Sequence, residues 1–405
     1  MTQQADSCQR RYDLDWLRVI AFGLLIFYHI GMFYVTWDWH VKSPYAGATL
    51  ELPMMLLNPW RLSLLFFISG VAIRFASDKS PLLQYAGSRS FRIGIPIVFG
   101  MCVLVMPQTW FELRQAGLVD DTFAGFYQNY LSLDQVYPVT TPTWNHLWYI
   151  VYLLVYTLIL VLLVPFFRLA KTPLAQFIRL ISGGEKAAWR LLLIPAIPFL
   201  IYRFSLTPHF PTTHALTDDW ANHAISFSFF LLGYLIAKND DFWLAVRKSL
   251  RPTVIIVVLS VPVLGYFWVN WDSLVPDTAF INVLRAWRVL YAWWVIVLLL
   301  GLAQRFLNRP SPVLTYMTGS VFSWYILHQT IIVAAGYYLA QRQLGGITEF
   351  ALVLIITVSG CLIITELVRH IPVLRLVLGL KGRRNSALTP VSSVPCPPAS
   401  SPGGA

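Results

Sequence analysis

Charged side chains are scarce in this chain of 405 residues. Asp, Glu, Lys and Arg together make up 12% of it, about half the fraction that is usual in a soluble globular domain. Hydrophobic residues make up 57% and aromatic residues 15%. This composition excludes an ordinary soluble domain and predicts a polytopic membrane protein.

Cysteine is also rare, and its spacing indicates neither a zinc site nor a disulfide framework. The four cysteines form no CxxC pair and do not cluster with histidine. They are Cys8, Cys102, Cys361 and Cys396. The histidines of one loop region, His209, His214 and His223, are spaced too irregularly for a metal site. We therefore expect no metal and no permanently bound cofactor.

Several sequence motifs of soluble and membrane enzymes are missing. The chain has no Walker loop, no GxSxG, no HExxH, and no haem or dinucleotide fingerprint. Its two halves show no repeat of the kind that many transporters have. Any phosphate-binding site must therefore be built from arginines and not from a glycine loop.

Long hydrophobic runs dominate what is present. Ten of them are about the length that a bilayer core requires. They lie near 17–36, 53–75, 92–110, 147–167, 189–205, 220–237, 252–271, 282–304, 313–340 and 349–371. The fifth contains Pro195 and Pro198 and should be kinked. The first lacks a cleavage pattern and reads as a retained anchor. The prediction is an all-α bundle of about ten transmembrane helices.

Lysine and arginine alternate between successive loops as the positive-inside rule requires. One side collects Arg10 and Arg11; Lys79, Arg89 and Arg92; Arg168, Lys171, Arg179, Lys186 and Arg190; Lys238, Arg247, Lys248 and Arg251; Arg305 and Arg309; and Arg375, Lys381, Arg383 and Arg384. The loops of the other side hold few, namely Lys42, Arg114, Arg203 and Arg342, with Arg285 and Arg288 just inside a helix. We expect both termini in the cytoplasm. The alternation also accounts for the net charge of +11 without a nucleic acid partner.

The domain organisation follows from the same pattern. Residues 1–381 form the predicted membrane domain. Residues 382–405 are rich in Pro, Ser and Gly and have no periodic apolar pattern, which predicts a disordered cytoplasmic tail.

The first hydrophobic run carries two ionisable residues on one face. Arg18 and His29 are eleven residues apart, which places them within about 20° of each other around a helix and about 16 Å apart along it. Ionisable groups inside a membrane usually face a bundle interior or a water-filled cavity. A structural alternative stays open, because Arg18 can pair with Asp15 and a lone histidine can simply bond a neighbouring helix.

A second basic pair stands at the start of the third run. Arg89 and Arg92 are at positions i and i+3 of "SRSFRIGIP", on one helical face. Two guanidinium groups so placed can each make forked contacts with phosphate oxygens. The alternative is that both are ordinary cytoplasmic loop residues.

Three further polar residues lie in or beside predicted helices. His146 stands at the outer mouth of the fourth and His328 midway along the ninth; each is a candidate substrate contact or a plain interhelical hydrogen-bonding residue. Glu366 should pair structurally with Arg369 or His370, at i+3 and i+4.

Together these residues resemble the membrane-bound acyltransferases of the acyltransferase-3 type. The family's first helix carries Arg-x10-His, matched by Arg18 and His29, and its third helix opens with Arg-x-x-Arg, matched by Arg89 and Arg92. The segments "LDWLRVIAF", "LFFISG", "HLWYIVYLL" and "YILHQ" resemble the branch that includes the succinyltransferase of osmoregulated periplasmic glucans. The similarity extends over about residues 11–375.

The resemblance implies a function and a site. An acyl group from cytoplasmic acyl-coenzyme A would pass to a hydroxyl of a periplasmic carbohydrate, in the inner membrane of a bacterium. His29 would be the general base or a covalent nucleophile, and three arginines would hold the coenzyme A phosphates. These are Arg18, Arg89 and Arg92. The substrate-binding residues would be Trp144, Asn145, His146, Trp148, Tyr325 and His328.

One departure limits what is carried over from the family. The sugar O-acetyltransferase branch has a Ser-Trp-Ser-Leu-x-x-Glu-like stretch where this chain has "TWNHLWY", without Glu. The acyl group remains succinyl or acetyl; Arg203 or Arg342 in an outer cavity would favour succinyl. The alternative function is a transporter or flippase of a small carboxylate or acylated glycan. Proton coupling is disfavoured because Glu366 is nearly the only acidic residue in the predicted spans.

Overall fold

A computed structural model describes residues 10–77, 81–132, 134–184, 187–274 and 277–380. The predicted disordered tail, 382–405, lies outside the described residues. All secondary structure in the described part is helical. The α-helices are α1 (Tyr12–Tyr34), α2 (Glu51–Ala76), α3 (Leu82–Phe99), α4 (Val105–Gln115), α5 (Phe123–Leu131), α6 (Trp148–Leu169), α7 (Lys171–Ser182), α8 (Ala187–Leu193), α9 (Ile197–Ser205), α10 (Trp220–Ile236), α11 (Asp240–Lys248), α12 (Leu250–Val269), α13 (Trp271–Leu274), α14 (Thr278–Phe306), α15 (Pro312–Ala340), α16 (Gly346–Arg369) and α17 (Pro372–Val377).

The transmembrane bundle predicted from the sequence is confirmed. Among the described residues, eight helical segments are long and apolar enough to cross a membrane, or nine if α10 and α11, bent by 111°, form one broken span. The ninth of the ten predicted spans, 313–340, is α15, whose 29 residues extend about 44 Å. This helix is long enough to span but carries buried Ser320, Ser323, His328 and Gln329.

The fifth predicted span is interrupted where its prolines stand. Helices α8 and α9 are separated by a 3-10 turn over Ile194–Ala196. Pro195 has no N–H to offer the carbonyl of Leu191, and the indole of Trp293 donates to that oxygen instead, at 2.8 Å. Trp294 donates likewise to the carbonyl of Leu192 at 3.1 Å. Two tryptophans of α14 thus satisfy the backbone of the predicted kink.

Helices α2 and α10 approach each other closely at two glycines. A Cβ atom built on Gly70 would lie 1.9 Å from the carbonyl oxygen of Phe230, and one built on Gly233 would lie 2.1 Å from that of Phe67. Small residues at such crossings allow the two backbones to pack directly in a membrane. Helix α2 is therefore fixed in the bundle interior beside α1.

The segment after α1 is tied down by its own polar side chains. Lys42 Nζ donates to the carbonyls of Met32 and Val35, each at 2.8 Å, which caps the free end of α1. Burial lowers the pKa of this lysine. Glu349 at the start of α16 is buried and accepts from the Ser43 hydroxyl at 2.5 Å. The loop 35–47 is thereby held over the end of the bundle.

Acidic residues are more numerous in the spans than the sequence suggested. Glu366 accepts from Tyr316 at 2.7 Å and pairs with Arg369 at 3.3 Å, as predicted. The expectation that Glu366 is nearly alone was wrong, because Glu51, Glu112 and Glu349 also lie within the candidate spans. Glu51 and Glu112 are included because the helices continue beyond the hydrophobic runs 53–75 and 92–110, whereas Glu349 is the first residue of the predicted span 349–371.

Candidate active site

A cavity of about 1320 Å³ opens at the end of the bundle where α1 finishes. Six residues that the sequence singled out line it together, although they come from three distant parts of the chain. They are His29, Trp144, Asn145, His146, Trp148 and Tyr325. The cavity is roofed by the loop 35–47 and by the segments before α6 and α10.

His29 and His328 form a hydrogen-bonded pair. Nδ1 of His29 lies 2.8 Å from Nε2 of His328, and the two ring planes differ by 1°. Nδ1 of His328 lies 2.7 Å from the carbonyl of Tyr325; since a carbonyl only accepts, this nitrogen carries the proton. Nε2 of a neutral His328 is then an acceptor, and His29 must donate through Nδ1. Nε2 of His29 is left with a lone pair.

His146 is buried on the other side of His328, with the two ring centroids 5.3 Å apart. Its Nε2 donates to the carbonyl of Ile326 at 3.2 Å. Tyr325 in turn donates through its hydroxyl to the carbonyl of His146. The segment before α6 and the middle of α15 are therefore joined by two hydrogen bonds next to the histidine pair, and His146 lies in the 3-10 turn Asn145–Leu147 directly before α6.

Two glutamines and His40 form a hydrogen-bonded chain along the wall of the cavity. Gln108 donates to Thr330 Oγ1 at 2.8 Å, and its Oε1 accepts from Gln329 at 3.1 Å. Gln329 also contacts His40 Nε2 at 2.9 Å, and His40 pairs through Nδ1 with Glu112. These groups connect α4, α15 and the loop 35–47, and they hold the roof against the wall.

Aromatic rings form the rim of the cavity. The rings of Trp148 and His214 are stacked with centroids 4.2 Å apart, and Trp144 donates to the carbonyl of His214 at 3.0 Å. Burial lowers the pKa of His214, and the charge of Arg61 adds to this while Asp219 opposes it. Aromatic side chains that line a cavity beside hydroxyl and amide groups suit a carbohydrate ring.

One cation in the cavity was missed in the sequence. Arg61 is 9% exposed and lines the cavity. Its Nη1 donates to Asn58 Oδ1 at 2.8 Å, and its guanidinium lies over the ring of Tyr28 at 3.4 Å. The rule that selected Arg18 also applies to Arg61, because the residue stands inside the predicted span 53–75. Arg203 and Arg342, the arginines that the sequence suggested for an outer cavity that favours succinyl, do not line this cavity.

The three arginines predicted to bind phosphate lie away from this cavity, at the other end of α1. Arg18 Nη2 pairs with Asp15 at 2.9 Å, which is the structural alternative, yet its buried Nε has no partner among the described residues. Arg89 donates to the Tyr85 hydroxyl at 3.0 Å, and Arg92 is exposed. None of the three is bound by more than one described side chain.

An aromatic layer separates the two ends. Phe22 stands between Arg18 and His29 on α1, and its ring contacts Tyr149 at 6.1 Å and Tyr325 at 5.4 Å between centroids. Tyr149 and Tyr325 line the cavity, and the Tyr149 hydroxyl is 2.8 Å from Ser69 Oγ. Tyr149 also lies within electrostatic range of Arg18 and Arg89. The layer is thus the boundary between the cavity and the arginine end.

Comparison with known proteins identifies the family. The family model described as an acyltransferase domain, of the acyltransferase-3 type, matches residues 11–366. "Glucans biosynthesis protein C" of Salmonella paratyphi B is 24% identical over 388 residues, which cover 92% of this chain and 95% of the relative. The protein of the same name from Salmonella heidelberg is 23% identical over 396 residues, with the same coverage. No solved structure matches significantly.

Proposed function

The chain belongs to the acyltransferase-3 family, and from this premise we propose that it transfers a succinyl or acetyl group from cytoplasmic acyl-coenzyme A to a hydroxyl of a periplasmic glucan. The name of the relatives, "Glucans biosynthesis protein C", supports a glucan acceptor. The protein would act in the inner membrane of a bacterium, with acyl-coenzyme A as co-substrate and both termini in the cytoplasm.

The observation that carries this proposal is the His29–His328 pair at the cavity wall. His29 Nε2 takes the proton of the acceptor hydroxyl while the hydroxyl oxygen attacks the thioester carbonyl carbon. A C–O bond replaces the C–S bond. The departing thiolate takes the proton from His29 and leaves as coenzyme A, so that His29 returns to its starting state.

The donor would approach from the arginine end. Arg18, Arg89 and Arg92 supply guanidinium groups for the coenzyme A phosphates. The pantetheine arm would reach His29 by passing the ring of Phe22, so the aromatic layer has to open for the donor. Closed again, it would keep water and ions from crossing between turnovers.

The acceptor would bind at the cavity rim. Trp144 and Trp148 offer ring faces, Asn145 an amide, and His146 and Tyr325 lie between them and the histidine pair. In this arrangement His328 serves as a positioning residue for His29. His328 would affect the acceptor hydroxyl only through its hydrogen bond with the imidazole ring of His29.

The test is coenzyme A release by detergent-purified full-length protein, with labelled succinyl- and acetyl-coenzyme A and mixed periplasmic glucans. We expect His29→Ala to lower kcat by about 10²- to 10⁴-fold, the usual share of a general base. His370→Ala is the control, since His370 is exposed and far along the chain from the site. Acid quenching without acceptor distinguishes the base from a covalent acyl-His29.

Two results would overturn the proposal. If His29→Ala releases coenzyme A as fast as wild type, His29 is neither base nor nucleophile. If wild type turns over neither thioester with any glucan, the donor and acceptor are wrong. Size-exclusion profiles of each variant show whether a loss of activity reflects a loss of folding.

A further inference from the structure

Arg61 is a buried cation without a counter-ion. Its side chain is 9% exposed, and no described carboxylate lies within 4 Å of it. The buried Nε has no hydrogen-bond partner among the described residues. A buried charge of this kind is costly unless it is paired. The cost indicates that the partner of Arg61 arrives with a ligand.

The surroundings hold Arg61 in a fixed orientation. Asn58 accepts from Nη1, and the ring of Tyr28 covers one face of the guanidinium. Three other charged side chains line the cavity: Glu112 pairs with His40, Lys42 donates to two backbone carbonyls, and Asp38 acts electrostatically on Lys42. Lys42 has at most one further N–H to donate, so among the described cations that line the cavity it is Arg61 that can offer an anion two N–H donors in a fork.

The chemistry of the anion follows from the chemistry of the cavity. A planar guanidinium matches the two oxygens of a carboxylate in a forked contact. Arg61 and His29 line the same cavity, so a carboxylate at Arg61 belongs to a molecule whose other end can reach His29. A short dicarboxylic acid esterified at one end to coenzyme A has this form.

We propose that Arg61 binds the free carboxylate of a dicarboxylic acyl group and so makes the enzyme select a succinyl-type donor over acetyl. The inference rests on the proposed function. An acetyl group would leave the guanidinium buried and unpaired, and sites built around a polar partner reject ligands that lack it. Coenzyme A phosphates are held elsewhere, at the arginine end.

The experiment compares kcat/KM for succinyl- and acetyl-coenzyme A in wild type, Arg61→Gln and Arg114→Gln. Arg114 is a matched control because it also lies over an aromatic ring, that of Trp110, but is exposed and outside the cavity. We expect Arg61→Gln to lose about 10- to 100-fold with succinyl-coenzyme A, the worth of a charge-assisted bond, and less than about threefold with acetyl-coenzyme A.

The outcomes separate the inference from the function. Equal losses with both donors, or no loss, would reject Arg61 as the carboxylate site while the acyltransferase stands. So would a wild type that prefers acetyl-coenzyme A, or a loss that follows the charge of the acceptor glucan. A wild type that uses neither donor rejects both proposals.

A binding readout covers the case in which Arg61→Gln does not fold. Free succinate should inhibit acetyl transfer by wild type more strongly than succinamide at the same concentration, because succinamide has no carboxylate for Arg61 to bind. Arg61→Lys, which keeps the charge without the fork, should lose less of the succinate inhibition than Arg61→Gln. Equal inhibition by succinate and succinamide would overturn the proposal without any variant.

Discussion

The two ends of the polar face of α1 are built differently. At the cavity end, His29 is bonded to His328, and His328 is itself bonded to the backbone of α15. At the other end, Arg18 and Arg89 each bond one nearby side chain, and Arg92 is exposed. Groups that move a proton must be held in place before reaction, whereas groups that bind phosphate can adjust to their ligand.

The largest loss of activity is expected when His328 is replaced. Replacing it by Phe removes the acceptor for His29 Nδ1–H, so either nitrogen of His29 can carry the proton. We expect kcat to fall about 10- to 100-fold, because one buried hydrogen bond that orients His29 is lost. The donor KM should stay nearly unchanged. Steady-state kinetics across pH measure both.

A purely structural role for His328 predicts something else. In that case His328→Gln, whose amide oxygen still accepts a hydrogen bond, would be as impaired as His328→Phe, and the pH profile of the remaining activity would keep its shape. Recovery by the Gln variant together with a shifted profile in the Phe variant supports positioning of His29.

What the sequence could predict here depends on whether the signal is local. The polar face of α1 and the interrupted fifth span follow from residue spacing and from Pro195, and both lie where predicted. The pairing of His29 with His328 joins residues 299 positions apart, and no local pattern states that α1 and α15 are neighbours. Each histidine could be singled out from its depth in a span, but not as half of a pair.

Arg61 shows the other limit. Its position inside a hydrophobic run is visible in the sequence, but the positive-inside rule counts the charges of loops, and a residue within a span does not enter that count. The cavity also takes His40 and Glu112 from loop and helix-end positions, where polar residues are ordinary. His40 and Glu112 line the same cavity only because the loop 35–47 packs on the helix bundle.

Substitutions at the arginine end should have a smaller effect, on donor binding and not on the reaction step. Arg89→Ala should raise the KM for acyl-coenzyme A about tenfold, since one charge-assisted contact to phosphate is lost, and leave kcat within about twofold. Arg92→Ala should raise it less, because its exposed side chain is screened by solvent. Donor saturation curves give both constants.

Arg168→Ala is the control for the arginine end, since Arg168 is exposed on the same predicted cytoplasmic side. If all three variants raise the donor KM alike, the effect is a general one of surface charge. If Arg89→Ala lowers kcat and spares KM, the arginine acts on the reaction step, and the proposed division between the two ends is wrong.

The smallest expected effect concerns the rim and its response to pH. Burial against Trp148 lowers the pKa of His214 from its ordinary value of 6.5. Above pH 6.5 this ring is neutral whether the chain is folded or not, so it adds no pH dependence. As the pH falls below 6.5, the unfolded chain takes up a proton that the folded chain resists, and stability is lost.

His214→Asn should therefore flatten the decline of Tm between pH 6.5 and 5 by about 2 °C. Asn tolerates the positive φ of 59° at this position, and the exposed His209→Asn is the matched control. A slope unchanged in His214→Asn, or a slope flattened equally by both variants, would show that the stacked ring does not couple protonation to folding at the rim.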